Sequence, residues 1–122
     1  MIISGINTGI AVADLDASAK VYTDQLGFSV KHRLETDACS IYVMENEYTE
    51  FDLVSGEVFK PGTSSVRVTV RNFDDSLADA ASAGLEKISD VMDSDRMKVV
   101  LFKDNNGTIF ILSHHKKVNL YV

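Results

Sequence analysis

The chain has 122 residues, 45% of them hydrophobic and 25% charged, with a formal net charge of −6. That is the size and balance of one soluble globular domain, or of two small halves around a shared core. The acidic balance and the lack of a basic run argue against phosphate-driven nucleic-acid binding, and no apolar stretch approaches membrane-spanning length.

The chain opens with MIISGINTGIAV, which has no Lys or Arg ahead of its apolar part and so makes a poor signal peptide. Its second half is a strand-like run that leads into a helix from about Leu15 to Leu26. Leu15, Ala19, Tyr22 and Leu26 recur at steps of three and four, which marks one helical face. Asp14 suits the N-cap, and Gly27 suits a left-handed C-terminal stop. Three shorter strand-like runs follow, FSVKHRL, CSIYVME and TEFDLVS. Cys39, the single cysteine, reads as a small packed residue; it excludes an internal disulfide and fits a reducing cytoplasm. The only proline, Pro61, sits in the linker FKPGTSS.

The opening cadence then returns. INTGIAVADLDASAKVY at residues 6–22 is echoed by SSVRVTVRNFDDSLADA at residues 64–80, with Val12 matching Val70, Leu15 matching Phe73 and Asp16 matching Asp74 at an offset of 58. The second helix carries Phe73, Leu77 and Ala80 on its face, with Asn72 as cap and Gly84 as stop. The runs LEKISDV, MKVVLFK and TIFILSH follow, the last two joined by the turn Asp104-Asn105-Asn106-Gly107. The sequence predicts an α+β fold: two tandem βαβββ modules, at about residues 1–57 and 63–115, whose curved mixed sheets enclose a pocket within a single domain. A short tail, HHKKVNLYV, completes the chain.

Alternation assigns the faces. Val66, Val68 and Val70 suit the helix side, as do Ile6, Thr8, Ile10, Val12, Phe51, Leu53, Phe110 and Leu112. The opposite face then carries Asn7, Gly9 and Ala11, Glu50 and Asp52, Ser65, Arg67 and Thr69, and Ile109, Ile111 and Ser113. This mixture of small, polar and apolar side chains suits the wall of a small-molecule pocket; the alternative is a solvated outer face. Arg67 and Asp52 are expected to pair with each other or with a ligand, with Glu50 nearer the edge. His115 shares parity with Ile111 and Ser113 and falls at the pocket rim, unless His114 and His115 form a solvated pair ahead of Lys116. His32, in the charged run KHRLE, reads as a surface residue. Tyr42, Tyr48 and Phe59 are equally suited to the pocket mouth, the core or a dimer contact.

GIAVADLDASAKVYTDQLGFSV near the start and FKDNNGTIFIL near the end resemble the vicinal oxygen chelate superfamily, which includes glyoxalase, extradiol dioxygenases and bleomycin-binding resistance proteins. The resemblance implies paired βαβββ modules, usually assembled as a homodimer. In metal-using relatives a ligand comes from the first and last strands of each module. These positions match Asn7, Asp52, Ser65 and Ile111, separated by 45 residues in the first module and 46 in the second. Only Asp52 keeps strong ligand chemistry, so these positions are degenerate and no metal or other cofactor is expected. The favoured expectation is a cytoplasmic, homodimeric protein that binds a small organic molecule, with neither nucleic acid nor membrane as partner. The alternative is a metal-dependent lyase, transferase or dioxygenase of the same superfamily using atypical ligands.

Overall fold

The computed structural model describes residues 1–116; the end of the predicted tail, residues 117–122, lies outside the described residues. The first module contains β1 (Ile3–Ala11), α1 (Leu15–Leu26), β2 (Ser29–Glu35), β3 (Cys39–Glu45) and β4 (Glu50–Gly56). The second contains β5 (Ser64–Val70), α2 (Phe73–Ser82), β6 (Glu86–Lys87), β7 (Met92–Asp93), β8 (Met97–Lys103) and β9 (Ile109–His115).

Local chemistry fixes both helix starts. The Asp14 side chain accepts from the Ala17 amide at 3.0 Å, and Gly27 closes α1 at φ 74° with its N–H on the Tyr22 carbonyl. The Asn72 side chain caps α2 by accepting from the Asp75 amide at 3.3 Å.

The strands form one sheet in the order β2-β3-β4-β1-β5-β9-β8-β6, with β7 also paired to β8. The modules meet where β1 runs antiparallel to β5, whereas β1–β4 and β5–β9 are the parallel pairs. The sheet curls strongly. Leu34, Ile41 and Val43 from one wing share a cluster with Met97, Val99 and Leu101 from the other. α1 packs its Leu15 and Ala19 against Tyr42, Met44 and Leu53. α2 packs Phe73 and Ala80 against Val68, Val100, Phe102 and Leu112.

Two local expectations are corrected. LEKISDV is not a continuous strand: it holds β6, then Ser89 interrupts the ladder by accepting the Leu101 amide on its side chain at 2.9 Å. The helix-side residues of β1 are not all covered either. α1 lies over β2, β3 and β4, so Ile6 remains 62% and Ile10 45% exposed on the convex face, with Thr8 exposed between them.

Candidate functional site

The concave side of the sheet is divided. At one end Ala11, Val54, Ile109 and Ile111 join an apolar cluster closed by Phe59, with Ile88 and Met92 packed on it. At the other end the walls are polar and leave an open cleft of about 260 Å³, lined by Asn7, Lys31, His32, Glu50, Arg67, Thr69 and His115 together with Ser4, Gly5 and Val43.

Strand register builds the floor of this cleft. Asn7 on β1 faces Arg67 on β5, Arg67 lies beside Ile111 on β9, and Gly9 lies beside both Asp52 and Ser65. Arg67 and Asp52 are therefore two strands apart, roughly 10 Å at the usual spacing. The long arginine side chain crosses β1 to close that gap. Its Nε donates to Asp52 Oδ2 at 2.7 Å and its Nη2 to Asp52 Oδ1 at 3.3 Å. Nη1 donates to Thr69 Oγ1 and Ser113 Oγ, both at 3.2 Å, and lies 3.3 Å from His115 Nε2. Asn7 Nδ2 donates to Asp52 Oδ1 at 3.0 Å and reaches Glu50 Oε2 at 3.5 Å, and Glu50 in turn pairs with Lys31. One chain of polar contacts thus runs from Lys31 through Glu50, Asn7, Asp52 and Arg67 to His115.

Charge is balanced along this chain. Burial pushes the Glu50 carboxyl upward, but the hydrogen bond and charge of Lys31, with help from Asn7, outweigh it and hold Glu50 below the usual carboxylate range. The Glu50 hydrogen bond in turn raises Lys31. Burial lowers His115, and Arg67, His32 and Lys31 lower it further. His32 is lowered by burial and by Lys31, Arg96 and Arg67. The two imidazoles lie edge to face with ring centres 5.5 Å apart and favour the neutral form.

The residues that alternation put on this face all lie on it. Asn7, Glu50, Arg67 and Thr69 line the cleft, and Asp52 and Ser113 sit fully buried beneath it. Gly9 and Ser65 mark the boundary with the apolar end. Ser65 Oγ is buried without a hydrogen-bond partner among the described residues, and a Cβ on Gly9 would fall 2.0 Å from it. Ala11, Ile109 and Ile111 belong to the filled end of the interior, Ile109 also bordering a separate groove near Lys60 and Lys103.

His32 and Lys31 escaped the sequence reading. His32 was expected at the surface but is half-buried in the cleft wall, because a bulge between Val30 and His32 shifts the alternation of β2. A β-bulge in a charged strand leaves little sequence signal. His115 lies on the cleft, while His114 turns away to the Val70 carbonyl at 2.8 Å. Tyr42 faces α1 and hydrogen-bonds Asp16 and Glu35, Tyr48 is exposed in a turn, and Phe59 is core. Cys39 is buried, its thiol pushed up by burial.

The four metal-ligand positions implied by the resemblance do not fit a metal. Asn7 presents its amide nitrogen to the carboxylates, Asp52 is held by Arg67, Ser65 is a lone hydroxyl and Ile111 is apolar. Among the described residues no three His, Cys, Asp or Glu side chains are grouped to hold an ion.

Two βαβββ modules joined through their first strands, curling around a cleft on the face away from the helices, define the fold of the vicinal oxygen chelate proteins. Solved structures of that fold superpose along nearly the whole chain. Methylmalonyl-CoA epimerase from Mycobacterium tuberculosis is similar at a TM-score of 0.72 and 16% identity, covering 95% of this chain and 91% of that one. A Streptomyces coelicolor methylmalonyl-CoA epimerase variant in complex with 2-nitronate-propionyl-CoA matches at 0.72 and 18%, covering 94% and 99%. A glyoxalase/bleomycin resistance protein/dioxygenase superfamily member from Vibrio splendidus matches at 0.56 and 14%, covering 90% and 97%. No family model and no curated protein matches the chain.

Proposed function

We propose that this chain is a small-molecule-binding protein of the glyoxalase/bleomycin-resistance type that works without a catalytic metal. The observation that carries the reading is the charge-balanced polar network along the cleft. Its cations and carboxylates already neutralise one another, so the cleft favours a neutral, hydrogen-bonding ligand or one with both a cationic and an anionic group. Thr69, Asn7 and the neutral imidazoles supply the contacts that would orient it. Native mass spectrometry of the purified protein is the test. A co-purified organic molecule displaced by Thr69→Val or Arg67→Met supports the reading. A ligand whose affinity is unchanged in both variants, and in Asp52→Asn, overturns it.

The second reading, an enzyme, is favoured by the likeness to methylmalonyl-CoA epimerase structures, one of them bound to a CoA ester analogue. In that reading the neutral His32 and His115 would move protons. A cytoplasmic setting fits the single buried thiol of Cys39.

The uncovered convex strip supports assembly as a homodimer. Ile3, Ile6 and Ile10 are exposed on β1 beside the half-buried Val66. A second copy of the chain, related by a two-fold axis, would cover the strip with the same apolar surface. Sedimentation at micromolar concentration should give twice the chain mass, and Ile6→Glu with Ile10→Glu should halve it. A wild-type mass of one chain rejects the dimer.

A further inference from the structure

We propose that Arg67 is a built-in cation: its guanidinium takes the place of an ion at Asp52, closes the centre to divalent metals, and on removal exposes a cation site. The inference rests on the metal-free reading above and goes beyond it by naming the residue responsible.

The surroundings of the guanidinium are those of an ion. Among the described residues its hydrogen-bond partners are both oxygens of Asp52, the hydroxyls of Thr69 and Ser113, and His115 Nε2. Carboxylate and hydroxyl oxygens with one imidazole nitrogen make a donor set that a divalent cation accepts. A second carboxylate, Glu50, converges with Asp52 on the amide nitrogen of Asn7. These carboxylates meet around positive hydrogens from both sides, and Asp52 is wholly buried with both oxygens occupied. Its charge is thus compensated by a group tethered to the chain. Such a cation can be neither exchanged nor chelated.

Arg67 reaches this place through topology. It is carried on β5, two residues along from Ser65, and extends across β1 to β4. Ser65 and Ile111 supply no competing charge, and Gly9 carries no Cβ on this face of β1. From the ligand positions alone, Asn7→His, Ser65→His and Ile111→Glu together would be expected to restore metal affinity. With the guanidinium seated on Asp52, those three changes should leave binding weak, and adding Arg67→Ala should release it.

Manganese(II) is the probe, read by isothermal titration and by the shift in melting temperature. Wild type should show neither heat of stoichiometric binding nor a shift. Arg67→Ala should be raised several degrees by millimolar manganese and bind at least tenfold more tightly than wild type. Arg67→Ala with Asp52→Asn should lose that response, because the carboxylate is the seat of the ion. The four-residue variant should bind at least tenfold more tightly than the three-residue one. If Arg67→Ala is unfolded in plain buffer, recovery of its far-UV circular dichroism on adding manganese supports the proposal, and no recovery overturns it. A folded Arg67→Ala that ignores manganese, or a three-residue variant as tight as the four-residue one, also overturns it. Either result leaves the metal-free reading standing. Stoichiometric manganese on wild type would instead overturn that reading.

Discussion

Cutting the Arg67–Asp52 pair should be far more costly than cutting any surface ion pair of this chain. The side chains of Arg67 and Asp52 are 3% and 0% exposed. Arg67→Met keeps most of the buried stem and removes the charge, which leaves the Asp52 carboxylate, among the described residues, with one side-chain donor, Asn7 Nδ2 at 3.0 Å. Removing one partner of a buried pair costs about 3–5 kcal/mol, because the remaining charge stays desolvated. In a domain of this size that lowers the melting temperature by roughly 10–20 °C. Asp52→Asn strands the guanidinium instead, leaving it an amide oxygen, two hydroxyls and an imidazole but no countercharge, and should fall in the same range. The double variant removes both charges, and the amide that Asp52→Asn introduces can still accept from Asn7, so it should be clearly more stable than either single variant. Urea denaturation at pH 7, followed by fluorescence and circular dichroism, gives the three free energies. Single variants costing less than about 1 kcal/mol would mean that water reaches the pair and that it behaves as an exposed bridge. A double variant equal to the sum of the singles would show that the two side chains are not coupled at all.

Two further outcomes follow from the same interior. Gly9→Ala puts a methyl group 2.0 Å from Ser65 Oγ and should destabilise by about 1–3 kcal/mol; Ser65→Ala should relieve most of that, since the Ser65 Cβ would lie at an ordinary 3.4 Å, and a Gly9→Ala variant as stable as wild type would show that the hydroxyl turns aside freely. His32 and His115 are held below their ordinary value of 6.5 in the folded chain, so the unfolded chain binds protons first and stability falls as pH drops below 6.5. Glu50, held low, adds its own loss only below the ordinary carboxylate value of 4.5, as pH falls toward its folded one. Chemical denaturation across pH 4–8 should show the first loss reduced in His115→Gln, and an unchanged slope would refute the assignment.

The sequence carried the local signals well and the closure of the fold poorly. Asp14 and Gly27 bound α1 because capping and left-handed turns are chosen by single residues. The alternation of Val66, Val68 and Val70 with Ser65, Arg67 and Thr69 set the faces of β5, and with them the meeting of Arg67 and Asp52. Which end of the concave side would fill was not legible. That depends on Phe59 and Ile88, which enter from irregular segments between the modules and between short strands, and on Met92, carried on the two-residue β7. The bulge that brings His32 into the cleft is a register property of the β2–β3 pair, and the exposure of Ile6 and Ile10 follows from the order of strands beneath α1. Neither is written in the residues concerned.

In the proposed function the cleft works with the charge of Arg67 in place of a bound metal. Elemental analysis of the wild-type protein, purified without chelator and in parallel with its native mass, tests it most directly. Well under one equivalent of zinc, nickel, manganese and iron per chain is expected. One full equivalent of any of them, lost in Asp52→Asn, would contradict it.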